Sequence, residues 1–295
     1  MSLIIDLRQI PSGGFVANEA KVYDSQAPQG VPLSAAHIEQ RFAGRHLVLA
    51  THGFNVSATR GLPALEKWDE LCTLPHPHVF VGVLWPGDSQ FLPILDYPIE
   101  VPVAQQSGAL LARLLNTHAT GATSISMASH SLGARAILEA ASQLKRRVAV
   151  MVLMASAIED DCLAKEYASA ARNTDKIHVV ASRADRVLQF AFPLGNPVGE
   201  LLLHGHPYFK AALGRNGPDS YQEIASSCTH WQMPDGDPSW DFGHGDYMPS
   251  PSAGAPFAPP VQAPAEGNPI PRDTAHWKPA WSAAVIATGV QAASR

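Results

Sequence analysis

The chain has 295 residues, of which 46% are hydrophobic and only 16% are charged. Its formal net charge of −5 argues against a nucleic-acid-binding protein, because phosphate contacts need a basic surface. The apolar content excludes disorder for most of the chain, and no segment approaches the roughly 20 apolar residues of a membrane span. Residues 1–14 lack a basic segment followed by an apolar run. We therefore expect a cytoplasmic protein, and we expect its three scattered cysteines to be free thiols.

Five apolar segments predict buried β-strands, at residues 46–53, 78–87, 123–131, 148–156 and 176–185. Helical patterns follow the first four of them, at residues 62–72, 103–117, 132–146 and 157–172. This alternation predicts an α/β fold with a mostly parallel, doubly wound sheet and helices on both faces. Two more loosely alternating segments within residues 1–44 predict antiparallel strands at the sheet edge.

Nine of the 25 prolines lie between Pro249 and Pro279. This density excludes a helix interior or a central strand and predicts an extended segment. We therefore divide the chain into a domain over residues 1–247, a proline-rich extension over 248–278 and a C-terminal helix over 279–295. The extension either lies on the surface without a function of its own or docks a protein partner.

A strand-to-helix junction at residues 129–133 gives the strongest chemical signal. A sharp turn of this kind holds one side chain clear of the C-terminal edge of the sheet, and small residues on either side let strand and helix pack closely. Ser131 occupies the central position, with Ser129 and Gly133 as the small residues. The N-terminus of the following helix favours negative charge beside it. The junction predicts Ser131 as a catalytic nucleophile.

The end of the first buried strand, residues 50–58, predicts the site that binds a developing oxyanion. Its Phe54 backbone N–H can donate one hydrogen bond, and the N–H of Leu132 can donate a second. Gly53 permits close backbone approach, and His52 is expected to be structural because the oxyanion role belongs to the backbone.

Asp185 is the predicted acid, because it follows the last buried strand at the same sheet edge as Ser131. Asp160 and Asp161 are rivals, although their position suits helix capping better. The general base must be one of the downstream histidines, His204, His206, His230, His244 or His276. His244 is preferred because glycines flank it and permit a tight loop, and His230 is the next choice.

These motifs together resemble the α/β-hydrolase superfamily. More narrowly, the chain is similar to a mostly bacterial branch of serine hydrolases that carries HGFN, WPGD, SHSLG and a late Gly-His, over roughly residues 45 to 247. The resemblance implies an esterase- or lipase-like enzyme with Ser131 as nucleophile, Asp185 as acid and His244 as base, and with no cofactor. Ser129 departs from the pattern, because the first position of this turn is commonly glycine.

The segment between Trp85 and Val103 follows a strand end at the sheet edge that builds the site. It holds a group of large apolar residues, Phe91, Leu92, Ile94, Leu95 and Tyr97. They predict a wall or small lid for an apolar acyl chain, with packing beneath the first helices as the alternative.

The acidic segment 235–241 and the histidines at 204–206 match no calcium or zinc motif, so no metal is predicted. Acyltransferase, peptidase and thioesterase activity stay open, as does a non-catalytic binding or scaffold role.

Overall fold

The computed structural model describes residues 3–9, 14–24, 30–88, 97–190, 211–219, 221–224, 227–235, 240–249 and 277–293. Within these residues the strands are β1 (Leu3–Arg8), β2 (Val16–Asp24), β3 (His46–Thr51), β4 (His78–Leu84), β5 (Ser124–His130), β6 (Val148–Met154), β7 (Thr174–Ala181) and β8 (Ser227–Gln232). They form one sheet in the order β2-β1-β4-β3-β5-β6-β7-β8. All neighbours are parallel except β1 and β2. The sheet confirms the predicted mostly parallel α/β fold.

Helices cover both faces of the sheet, as predicted. The described helices are α1 (Ala35–Phe42), α2 (Ala58–Cys72), α3 (Tyr97–His118), α4 (Gly133–Gln143), α5 (Ala168–Arg172), a short helix (Leu213–Asn216) and a C-terminal helix (Trp277–Ala293). Helix α4 packs between α3 and α5, whereas α2 packs against the C-terminal helix. A further helix begins at Arg186, directly after the predicted acid.

The central strands bring their C-terminal ends to one edge. Strands β3 to β6 are buried along nearly all their length, and β7 is buried over its C-terminal half except at the half-buried His178, which explains their apolar sequences. Thr51 pairs with Ser129 across β3 and β5, and His130 pairs with Met154 across β5 and β6. Because these registers align the strand ends, the segments that follow β3, β5 and β7 meet at the same edge.

Three local predictions differ from the structure. Strand β8 was not predicted, because it is half-exposed and lacks an apolar run. The helix predicted over 157–172 is mostly turns and reaches helical form only in α5. Its first part is instead held by a β-bridge between Glu159 and Ala212 and by ion pairs from Arg135 to Glu159 and Glu166. At the N-terminal edge only β2 is antiparallel, since β1 runs parallel to β4.

The C-terminal helix belongs to the same apolar core as the sheet, although the sequence set it apart from residues 1–247. It begins at Trp277, so Pro279 lies third in the helix rather than first. Its side chains are buried along most of its length, including Trp281 and Ile286. Most of the proline-rich extension, residues 250–276, lies outside the described residues.

Two expectations from composition concern thiols and membranes. Cys72, Cys162 and Cys228 are free thiols, as expected. Within the described part of the chain, no helix combines the length and the apolar character needed to cross a lipid bilayer.

Candidate active site

Ser131 lies in a strained turn between β5 and α4. Its φ of 54° is in the left-handed region, which residues other than glycine rarely adopt. Its backbone is held from both sides: the Ser131 N–H donates to the Met154 carbonyl at 3.0 Å, and the Ala134 N–H donates to the Ser131 carbonyl at 3.1 Å. Strain maintained by its surroundings is frequent at functional sites.

Two glycines allow the segment that is predicted to bind an oxyanion, residues 50–58 (the oxyanion segment), to approach this turn. A Cβ on Gly133 would lie only 2.3 Å from the carbonyl oxygen of His52, and a Cβ on Gly53 would lie 2.7 Å from the Ser131 Cβ. The loop after β3 therefore lies directly against the serine. The backbone N–H groups of Phe54 and Leu132, which are predicted to bind the oxyanion, donate to no other described residue.

His52 fixes the orientation of the oxyanion segment. Its Nδ1–H donates to the Gly53 carbonyl at 2.8 Å, and its Nε2 accepts from the Trp85 backbone N–H at 3.3 Å. Burial lowers the pKa of His52 to about 4, so the ring stays neutral and keeps this pattern. The Gly53 carbonyl and the Phe54 N–H belong to one planar trans peptide and point in opposite directions. By holding the carbonyl, His52 directs the Phe54 N–H the other way. This agrees with the structural role predicted for His52.

The HGFN and WPGD motifs also contact each other. The Trp85 indole donates to the His52 carbonyl at 2.9 Å, and the Asn55 N–H donates to the Gly87 carbonyl at 2.6 Å. The two rings of Trp85 and His52 are stacked. The second motif therefore supports the loop that carries the first.

The three predicted triad residues form a hydrogen-bonded series in which His244 lies between Ser131 and Asp185. The Ser131 hydroxyl donates to His244 Nε2 at 2.8 Å, and His244 Nδ1–H donates to Asp185 Oδ2 at 2.8 Å. Asp185 is fully buried, and its Oδ1 accepts from the Leu188 N–H at 2.9 Å. Asp185 thus caps the helix that begins at Arg186 with one oxygen and orients the imidazole with the other. A hydroxyl, an imidazole and a carboxylate in this order can activate a serine nucleophile.

The loop that carries His244, residues 240–249, contains turns but no long element. Phe242 and Tyr247 are fully buried in it, and they pack in an aromatic cluster with Trp240 and with Trp277 and Trp281 of the C-terminal helix. The C-terminal helix therefore supports the loop that presents the imidazole.

Polar contacts also stabilise the loop that carries His244. Asp246 accepts from the Gly243 N–H at 2.9 Å and pairs with Lys278 at 2.7 Å. The Lys278 ammonium also lies 5.3 Å from the centre of the Phe242 ring. These contacts fix both flanks of the residue between them, His244.

The rival acid and base residues have other contacts. His230 lies inside β8, where its Nε2 is 3.1 Å from Gln232 Oε1. Asp161 pairs with Lys165 at 2.6 Å, and the Asp160 backbone binds the 211–219 segment. The remaining rivals lie outside the described residues, namely His204, His206 and His276.

The predicted acyl wall falls largely outside the described residues. Phe91, Leu92, Ile94 and Leu95 are not described, and Tyr97 is the first residue of α3. A cavity of about 680 Å³ opens beside His244. Its lining combines charged and apolar side chains, among them Arg183, Arg186, Val187, Asp235 and Asp241.

No group of three or more His, Cys, Asp or Glu side chains within the described ranges is arranged to hold a metal ion. Asp235 pairs with Arg183 at 2.6 Å. The other acidic residue early in that segment, Asp237, and the histidines at 204–206 are not described.

One further polar residue, His130, lies at this site. His130 precedes Ser131, is 8% exposed, and donates through Nε2–H to the carbonyl of His244 at 2.6 Å. A histidine beside the nucleophile carries no local signal for this contact, because its acceptor lies 114 residues further along the chain.

The chain matches one protein family over residues 34–216, described as an alpha/beta hydrolase of unknown function (DUF900). The chain belongs to this family. The matched residues include Ser131 and Asp185 and end before His244. Among curated proteins, none matches the chain.

Several solved structures resemble this hydrolase at low identity. An uncharacterized protein from Bacillus cereus ATCC 10987 is 13% identical with a TM-score of 0.43, over 75% of this chain and 58% of that protein's length. The ydeN gene product from B. subtilis is 16% identical with a TM-score of 0.38, over 68% and 87% of the two chains. An esterase from Pyrobaculum calidifontis is 14% identical with a TM-score of 0.42, over 85% and 78%.

Proposed function

We propose that this hydrolase cleaves carboxylic ester bonds through an acyl-enzyme formed on Ser131. The observation that carries the proposal is the continuous hydrogen-bonded series from the Ser131 hydroxyl through His244 to the buried Asp185, with both distances at 2.8 Å. A serine so connected, at the edge of the sheet and beside free backbone N–H groups, has the arrangement that nucleophilic acyl transfer requires.

In the first half-reaction, His244 Nε2 takes the proton from Ser131 Oγ as Oγ bonds to the ester carbonyl carbon. The carbonyl oxygen becomes negative and accepts hydrogen bonds from the N–H groups of Phe54 and Leu132. The carbon–oxygen bond to the leaving group then breaks, and His244 gives its proton to the departing alcohol. The acyl group stays on Ser131.

In the second half-reaction, His244 takes a proton from water as the water oxygen attacks the acyl-enzyme. The bond to Ser131 Oγ breaks, His244 returns the proton to Oγ, and a carboxylic acid leaves. Asp185 keeps the proton of His244 on Nδ1 and stabilises the charged imidazolium in both halves, without becoming protonated itself.

Covalent labelling by a fluorophosphonate probe tests the proposal directly. The wild-type protein should be labelled on Ser131, and Ser131→Ala should lose the label together with hydrolysis of p-nitrophenyl butyrate, by roughly three or more powers of ten. Ser126→Ala is the matched control, because it removes a buried serine from the same strand. It should keep the label. A folded wild-type protein that takes up no probe would contradict the enzymatic proposal and favour a binding or scaffold role.

The proposal extends to an apolar acyl group, carried by the cluster Phe91, Leu92, Ile94, Leu95 and Tyr97 in the sequence. Each buried CH₂ of an acyl chain can add up to about 0.8 kcal/mol of binding. The ratio kcat/KM should therefore rise from acetyl to butyryl or hexanoyl p-nitrophenyl esters. A profile that peaks at acetyl would show that these residues do not contact the acyl chain.

A further inference from the structure

His130 connects the strand of the nucleophile with the backbone of the base. It is the last residue of β5, adjacent to Ser131, and its side chain is buried. Its Nε2 lies 2.6 Å from the carbonyl oxygen of His244, and the two imidazole rings are 4.9 Å apart. Within the part of the chain that the structure describes, this is the hydrogen bond that ties the main chain of His244 to the central sheet.

The direction of this hydrogen bond follows from chemistry. A carbonyl oxygen only accepts, so the proton of the His130 ring must be on Nε2. Burial lowers the pKa of His130 to about 3, so the ring is neutral and Nδ1 carries no proton near neutral pH. Nδ1 faces Gly53, where an added Cβ would lie 2.9 Å from it. The His130 ring is therefore confined between the oxyanion segment and the loop that carries His244.

The base lies in a loop rather than in a helix or strand, so contacts from other segments position its main chain. Asp185 accepts a hydrogen bond from Nδ1 of the His244 ring, which fixes the direction of the ring but not the position of its backbone. The hydrogen bond from the Gly243 N–H to the Asp246 carboxylate is internal to the loop. The contact from His130 differs, because it comes from a buried strand whose next residue is Ser131. It sets the backbone of the base relative to the nucleophile itself.

We propose that His130 is a positioning residue, which holds the main chain of His244 at the separation from Ser131 that proton transfer requires. This inference rests on the proposed function, since it assigns His130 to the same reaction. Small displacements of a catalytic group can lower a rate about 100-fold, which sets the scale of the expected effect.

Two variants of equal length separate positioning from packing. His130→Gln keeps an N–H donor the same number of bonds from Cα as Nε2, whereas His130→Met fills a similar volume without a donor. His178→Met is the control, because it removes a half-buried histidine that contacts Trp231. Each variant is titrated with the fluorophosphonate probe, so that kcat for p-nitrophenyl butyrate is expressed per active site.

The expected result is a kcat lower by roughly 10- to 100-fold in His130→Met, with KM nearly unchanged. His130→Gln should recover most of this loss, and His178→Met should keep the wild-type kcat. The proposal is overturned if His130→Met keeps the wild-type kcat per site, or if Gln and Met lower kcat equally.

Imidazole ¹⁵N spectra of the wild-type protein provide a measurement that needs no folded variant. His130 should be the Nε2–H tautomer, with a proton that exchanges slowly with solvent. An Nδ1–H tautomer or a rapidly exchanging proton would overturn the proposal even if His130→Met does not fold. If the wild-type protein takes up no fluorophosphonate, the proposed function fails by itself, and the spectra still decide whether His130 binds His244.

Discussion

The turn that carries Ser131 and the loop that carries His244 are built on opposite principles. Ser131 is placed by the backbone of its own segment: a buried strand, a positive φ and a helix that starts at Gly133. His244 is placed by side chains from elsewhere, including Asp185, His130 and the C-terminal helix. The position of Ser131 is thus specified mainly by its own segment, whereas the position of His244 is specified by tertiary contacts.

The largest expected effect tests whether the two regions act as one unit. His244→Ala should lower kcat/KM for p-nitrophenyl butyrate as much as Ser131→Ala does, by roughly three or more powers of ten. The double variant should be no slower than either single variant, because the nucleophile needs the base. Additive losses in the double variant would show that His244 is not the partner of Ser131.

A pair of glycine substitutions contrasts the packing of the two regions. Gly133→Ala places a methyl group 2.3 Å from the backbone oxygen of His52, so the free energy of unfolding should fall by about 3 kcal/mol or more. A Cβ on Gly245 has no neighbour within 4 Å, so Gly245→Ala should change the free energy of unfolding by less than about 0.5 kcal/mol. Urea denaturation measures both. Equal losses of stability in the two variants would show that Gly133 is no more tightly packed than Gly245.

Acid should weaken the fold through the two buried histidines that hold these regions. Burial lowers the pKa of His52 to about 4 and that of His130 to about 3, whereas an unfolded histidine titrates near 6.5. Below pH 6.5 the unfolded state therefore binds protons that the folded state excludes. The free energy of unfolding should fall as pH drops from about 6.5 to 4, with little change from this cause above 6.5.

Urea denaturation at several pH values measures this slope in the wild type and in His130→Gln. The variant should lose less stability over the same pH range, because one of the groups that titrate differently is gone. The same slope in both proteins would show that His130 is already accessible to protons in the folded state.

The sequence was most informative where structure is local. The five predicted strands lie within a few residues of β3 to β7, because their apolar runs reflect burial on both faces. The same locality pointed to the junction at Ser131, where strand, turn and helix are consecutive. Asp185 could be chosen because it lies in the segment just beyond β7, and the structure brings it to His244.

The remaining features depend on contacts that a sequence pattern does not carry. His244 could be preferred over His230 only by its flanking glycines, whereas the structure separates them by placing the half-exposed His230 in β8, where its ring contacts Gln232. The region 157–172 has helical spacing, but ion pairs and a β-bridge to distant residues hold it in turns. The contact from His130 to His244 was missed for the same reason. The catalytic roles of Ser131, Asp185 and His244 stay predictions.

The separate support of the two regions also has an evolutionary consequence. The aromatic cluster of Phe242 and the C-terminal helix supports the loop of His244, whereas β5 and α4 support the turn at Ser131. On the proposed function, a substitution of the half-buried His244 would end turnover and leave the core of the sheet unchanged. A lineage with this architecture would then have a short path to a pseudoenzyme, which would keep the fold without the proposed activity.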